Sequence, residues 1–496
     1  MGKKFSKNPS DDIKSQTMSE ELNPGTYTST MTHEITWFTK TKVNDATLAL
    51  LPLLAFFGQY LVRSISGARF DASYMGNSSL INFLSASVLR ANPIEAIWGL
   101  HTQPPLLNGI FALAFQFYPH EKIIVEILWM IAGLGLVYCV YFFSLELTKL
   151  KTISALIAVT FQLVPSTVGY IFHAYNTILI QFLFSLMMLG IIKVLNEKKI
   201  GILISDIALL LLFLGRAPFV SFLVLMGMVA TRLYFYRKGN SRRILYKSSI
   251  AIMMPIVIII QGHFLLDFKQ IPLSSWGGNS TLRAIVNGVG TEELARQIGN
   301  DPCRLEILGK QYQGQVITEF PSCLEKYSKI KVRTTEKATQ GNKNNSAEAL
   351  QASMAAQDLV KYLLPRNLDA LPKILLGNIE KLGTIEYFLG LAKFPLVSVA
   401  SLKENLNFLL SLILSLFYLI VLFRRAMPKV DFQLVLISWT LMSYILFYSL
   451  FTEILENDRY KVEGNVVYFL ISVTIFWQLF GTKFRESILR NLEDKT

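Results

Sequence analysis

Charge is scarce in this chain. Only 17% of its 496 residues are Asp, Glu, Lys or Arg, and 52% are hydrophobic; a soluble protein of this length carries about 25% charged residues. There are just three cysteines and five histidines. The signatures of a zinc hydrolase (HExxH), a P-loop nucleotidase, a nucleophile elbow (GxSxG) and a paired CxxC zinc site are all missing. No repeat of fixed period and no Gly/Ser linker is present. Residues 1–43 are polar and the first apolar run begins near Ala46, too far in for an ordinary cleaved signal. The first span is therefore expected to be retained, behind a disordered cytoplasmic tail.

Long apolar runs are what the chain has instead, at a mean hydropathy of +0.40. About 18 or more apolar residues cross a hydrocarbon core roughly 30 Å thick, so an all-α polytopic membrane protein is expected. Ten spans are read at 45–66, 123–146, 153–171, 177–195, 201–214, 219–236, 247–266, 406–423, 432–452 and 466–481. The net charge of +13 sits in short loops beside them, which makes it topology-setting charge and not a nucleic-acid footprint.

"TKLKT", "NEKK", "RKGNSRR" and "RRAMPK" fall on the cytoplasmic side, with the Lys-bearing N-terminal tail, only if residues 104–118 do not cross the membrane. With that segment on the outer surface, every basic loop and both termini are cytoplasmic. Pro104 and Pro105 suit the start of a short surface helix there. The domain plan is then a tail at 1–43, a transmembrane module at 44–266 with an outer loop at 67–122, an extracytoplasmic segment at 267–405, and C-terminal helices over 406–496. Residues 336–358 are the most loop-like part of the outer segment, becoming helical after Ser346.

Several residues on the outer side could carry chemistry. Asp71, just past the first span, offers a general base, or is an ordinary loop carboxylate. His101 and Gln103, at the mouth of "HTQPPLL", are placed to meet an anion at a helix start, or merely to cap the helix. His173 and Asn176 share the turn before the fourth span. Arg216 interrupts an apolar stretch in "LGRAPF"; an arginine there is costly and pairs with an anion or a carboxylate. Arg459 and Tyr460 sit where the ninth span reaches the outer surface, as ligands or as an interfacial anchor. Cys303 and Cys323 could form a disulfide outside. Cys139 is read as a packing residue, and Glu146 as the neutraliser of a nearby cytoplasmic lysine.

In its order of motifs the chain resembles the GT-C superfamily of membrane glycosyltransferases, in the bacterial branch related to protein O-mannosyltransferases and aminoarabinose transferases. "FDASY" after the first span, "HTQPPLLNGIF", "LGRAPF" with Arg216 in place of a lysine, and "NDRYKVEGNVVYFLI" carry the likeness. It covers 45–266 well, 406–481 loosely, and hardly touches 267–405. The resemblance implies an inverting transfer of sugar from a polyprenyl-phosphate donor to a lipid, glycan or protein acceptor on the extracytoplasmic face of the plasma membrane. Asp71 would be the base, and Arg216, Arg459 and His101 the cations facing the lipid phosphate. The resemblance fixes no cofactor and leaves a divalent metal as the one candidate. Relatives commonly have Asp where Asn176 stands, so this chain lacks a charged ligand for a tightly held divalent metal. The alternative is a non-catalytic lipid-binding homologue, or a transporter or flippase of lipid-linked sugar.

Overall fold

The computed structural model describes residues 45–79, 83–162, 169–215, 243–270, 277–312, 327, 329–372, 463–478 and 480–481. The chain divides into Met1–Leu48 and Ala49–Thr496; of the first unit only 45–48 are described. The expected spans at 219–236, 406–423 and 432–452 lie outside the described residues.

Everything regular among the described residues is helical, with no strand and one isolated bridge. The helices are α1 (Asp45–Ile65), α2 (Ala86–Ala91), α3 (Pro93–Trp98), α4 (Leu106–Phe115), α5 (Glu121–Thr148), α6 (Lys151–Gln162), α7 (Thr177–Leu195), α8 (Ile200–Gly215) and α9 (Arg243–Asp267). Beyond them come α10 (Gly277–Val289), α11 (Thr291–Ile298), α12 (Pro302–Tyr312), α13 (Glu336–Gly341) and α14 (Ala347–Leu363). Three are long and apolar enough to cross a membrane: α1 from Ala46, α5 and α7. Helix α8 and the Met253–Asp267 part of α9 are apolar but shorter.

Helix α4 has ten residues, about 15 Å at 1.5 Å per residue, half of what a crossing needs. It starts where the proline pair ends, with Pro105 as its cap. One face is buried through Leu107, Asn108, Phe111 and Phe115, while Leu113 stays exposed. Of the expected span over 153–171, α6 up to Gln162 and a 3-10 turn at Tyr170–Phe172 are described; residues 163–168 lie outside the described residues.

Helices α5 to α8 pack in sequence, and polar side chains pin the bundle. Tyr60 donates to Glu126 Oε1 at 3.0 Å, Gln162 Nε2 to the Pro52 carbonyl at 3.1 Å, and Trp129 Nε1 to the Tyr175 carbonyl at 2.8 Å. Helices α7 and α8 touch backbone to backbone. A Cβ on Gly190 would lie 2.6 Å from the Ser205 nitrogen, and one on Gly201 2.5 Å from the Gly190 carbonyl oxygen. Close approach of this kind relies on small residues. Gly190→Val is expected to lower stability by at least about 1–3 kcal/mol through overpacking, read as a lower melting temperature in detergent. Gly109→Ala is the control, since a Cβ there meets nothing within 4 Å. An unchanged melt for Gly190→Val would refute the contact.

Residues 335–346 fold back onto the 83–102 loop. Ser85 N donates to the Gly341 carbonyl at 2.8 Å and Asn342 Nδ2 to the Phe83 carbonyl at 2.8 Å. Thr335 Oγ1 donates to the Glu95 carbonyl at 2.9 Å, and Gly99 leaves no room for a Cβ against Thr335. At the end of α9, His263 bridges Asp267 Oδ2 at 2.7 Å and the Trp98 carbonyl at 2.6 Å, its ring stacked on the Trp98 indole. Helix α14 begins after Ser346, whose hydroxyl accepts from Ala349 N, as expected from the sequence. Residues 336–345 are ordered into α13 and a 3-10 turn, where low hydrophobicity suggested a loop. Thr335 caps α13 by accepting from Ala338 N, and the fastening is made by polar side chains that hydrophobicity does not register.

Candidate functional site

Asp71 is held by a parallel bridge to the turn before α7. Its N–H donates to the Phe172 carbonyl at 2.7 Å, and its carbonyl accepts from Ala174 N at 3.0 Å. This clamp sets Asp71 Oδ2 3.7 Å from His173 Nδ1, while Oδ1 accepts from Ser73 N at 2.8 Å. Burial pushes the carboxyl upward, but the Ser73 hydrogen bonds and His173 outweigh it and leave Asp71 below the usual carboxylate range. Burial also lowers His173, against the pull of Asp71. At neutral pH the pair is therefore a carboxylate beside a neutral imidazole. The carboxylate is part-exposed and stays ionised, as a proton acceptor must be before reaction.

Three residues further on, Asn176 opens α7 without capping it. Its Nδ2 donates to the Gly215 carbonyl at 3.4 Å, and its buried Oδ1 has no partner. A small cleft joins Gln103 and Pro104 of the "HTQPP" loop with Leu107, Asn108, Tyr175, Asn176 and Gly215. Asn176 Oδ1 can accept from a ligand hydroxyl there; an uncharged amide is a poor counter-ion for a metal. No group of three or more His, Cys, Asp or Glu with metal-holding geometry occurs among the described residues.

His101 is fully buried. Its Nε2 lies 3.2 Å from the Ser346 carbonyl and its ring packs on Phe268. Asn345 Oδ1 accepts from His101 N at 3.1 Å, Thr102 N at 3.2 Å and Thr102 Oγ1 at 3.0 Å. Burial lowers the imidazole to about 4, so at neutral pH it is uncharged and turned toward a backbone acceptor. As placed, His101 fastens the loop and presents no cation to a phosphate; Gln103 is the loop residue that reaches the cleft.

The same burial gives a pH dependence. The folded ring takes a proton only near pH 4, against an ordinary value of 6.5, so the unfolded chain binds more protons between those limits. Stability then rises with pH across that window and falls on acidification, by on the order of 3 kcal/mol at the acid end. Melting curves of wild type and His101→Gln from pH 7 to 4.5 isolate this contribution from other carboxylates. Parallel curves would show that the ring is not held neutral.

Arg216, Arg459, Tyr460 and Cys323 lie outside the described residues. Arg216 follows Gly215 directly in the chain. Cys303 is disulfide-bonded, and Cys139 is free and buried. The sequence reasoning passed over Asn108, Tyr175 and Asn345. Asn345 is an uncharged residue in a polar run, and its only signal is the buried fold itself. Asn108 was detectable as a polar residue on the apolar face of α4, where its Oδ1 accepts from Leu84 N at 3.0 Å. No described protein family, curated protein or solved structure matches the chain.

Proposed function

We propose that the chain is an integral membrane glycosyltransferase that moves a sugar from a polyprenyl-phosphate donor to a hydroxyl acceptor on the extracytoplasmic side. The supporting observation is the convergence of sites remote in sequence. Asp71 is bridged to His173, three residues before Asn176, and Asn176 shares a cleft with Gln103 and with Gly215, the neighbour of Arg216. Asp71, Gln103 and Gly215 belong to three of the four stretches that carry the resemblance to the GT-C superfamily, and Asn176 stands where the chain departs from it. The ten-span topology, with both termini cytoplasmic, belongs to this reading.

In the reaction the acceptor oxygen forms a bond to the anomeric carbon as the bond from that carbon to the phosphate oxygen breaks. The acceptor proton passes to the Asp71 carboxylate, and the lipid phosphate leaves as an anion. Gln103 and Asn176 contact the sugar, while Arg216, Arg459 and Tyr460 meet the phosphate. Fixed cations aimed at developing charge are worth about 3–4 kcal/mol each in such sites. No metal is needed for this scheme.

The test is transfer of sugar from short-chain polyprenyl-phosphate donors by purified protein in detergent, with product formation followed directly. Transfer without any gradient supports the enzyme. Lipid-linked sugar that moves across vesicle membranes without being consumed would instead establish the transporter reading, which Asn176 in place of the relatives' Asp favours.

A further inference from the structure

At the end opposite Asp71 along α5, a second polar cluster lies between two of the apolar helices. Glu146 is buried near the C-terminus of α5. Lys198 Nζ reaches its two oxygens at 2.6 and 2.9 Å, Lys193 Nζ reaches Oε1 at 3.0 Å, and Lys149 Nζ lies 3.4 Å from Oε2. Asn196 Nδ2 adds a donor to Oε2 at 3.1 Å and another to the Glu146 carbonyl at 3.0 Å. One carboxylate thus gathers three ammonium groups, from the α5–α6 connection, the last turn of α7 and the α7–α8 connection.

The charges do not balance. Among the described residues Lys149, Lys193 and Lys198 meet Glu146 and the adjoining Lys199 is exposed, so four lysines stand against this one carboxylate. The C-termini of α5 and α7 add about half a negative charge each and the N-termini of α6 and α8 about half a positive charge each, so the helix ends cancel and a surplus of roughly three positive charges is left. Lys149 and Lys198 have more than half of their side chains open to solvent, while Glu146 keeps only 8%. The carboxylate is saturated while the Lys149 and Lys198 side chains stay open to solvent, an arrangement that leaves room for a second anion. Both helices are long and apolar enough to cross a membrane and both end here, which sets the ammonium groups at headgroup depth.

We propose that this cluster binds the phosphate of an anionic phospholipid, with Lys149 and Lys198 on the phosphate and Glu146 holding the lysines in place. The inference needs α5 and α7 to span the membrane but does not depend on glycosyl transfer. Basic pockets between helix ends take up lipid headgroups by this chemistry.

The experiment compares the full-length protein with Lys149→Gln/Lys198→Gln in vesicles or nanodiscs of phosphatidylglycerol and of phosphatidylcholine. At about fivefold per lysine, wild type should retain phosphatidylglycerol roughly 25-fold more tightly than the double variant. Only wild type should gain melting temperature from it. Lys149→Arg/Lys198→Arg should retain the lipid. Equal retention by wild type and the glutamine variant overturns the proposal. An equal rise in melting temperature from millimolar inorganic phosphate alone would assign a free-anion site and overturn the lipid. If the glutamine variant does not fold, wild type decides: equal retention of both lipids at low salt refutes the site, and a preference for phosphatidylglycerol that fades in high salt supports it.

Discussion

Asp71→Asn is expected to reduce sugar transfer by about 10²–10⁴-fold, the usual contribution of a positioned general base, while donor binding stays close to wild type. The substitution keeps the shape of the side chain and can keep the hydrogen bond from Ser73 N, because an amide oxygen still accepts. What it removes is the site that takes up the acceptor's proton. The backbone clamp to Phe172 and Ala174 does not involve the side chain, so the variant should melt near wild type. A folded variant with full activity would end the assignment. His173→Ala is expected to have a smaller effect. The neutral imidazole orients the carboxylate from 3.7 Å and does not itself take the proton in this scheme.

The position of Asp71 below the usual carboxylate range shapes the pH profile. The base is already ionised through the neutral range, so activity should hold on acidification down to the pH at which Asp71 protonates. A carboxylate in that range is also a weak proton acceptor, and it works only if the acceptor hydroxyl becomes acidic in the transition state. Such timing fits a displacement in which the bond to the leaving phosphate is largely broken before the proton moves. The stabilisation of that departing phosphate then falls to the arginines, which is where an electrophile-driven reaction needs its cations.

Much of the helical plan was legible because burial in lipid demands long apolar runs. The spans expected at 45–66, 123–146 and 177–195 match α1, α5 and α7 to within about two residues, and that at 201–214 matches α8. The short α4 was legible for the complementary reason, since a proline pair and few apolar residues cannot make a crossing. Contacts between distant polar residues were not legible. Glu146 was expected to neutralise one lysine and meets three, because Lys193 and Lys198 arrive from a segment some fifty residues on. His101 read as a phosphate ligand because a histidine beside a helix start is one often enough. Its real surroundings come from residues 345 and 346, and no local pattern encodes a partner 244 residues away.

That distant partner carries the second large effect. Asn345→Ala removes the oxygen shared by His101 N, Thr102 N and Thr102 Oγ1, all in buried surroundings. A buried donor that loses its acceptor costs about 1–3 kcal/mol. The substitution also deletes the unpaired Nδ2 of Asn345, which returns part of that cost, so a net loss of about 2–5 kcal/mol is expected. The damage should not stay local. Gln103 and Pro104 are the next residues and line the cleft with Asn176, so a loosened loop misplaces the contact proposed for the sugar. Sugar transfer should therefore fall more steeply than the melting temperature alone explains, because an error of about 1 Å in a reacting geometry can cost on the order of 10²-fold. Asn345→Asp keeps an oxygen for the same three donors and should recover most of both losses, since such donors favour the ionised carboxylate. If Asn345→Ala melts and turns over like wild type, Asn345 is not what holds the loop. If Asn345→Asp fails as completely as Asn345→Ala, the shared acceptor is not the cause.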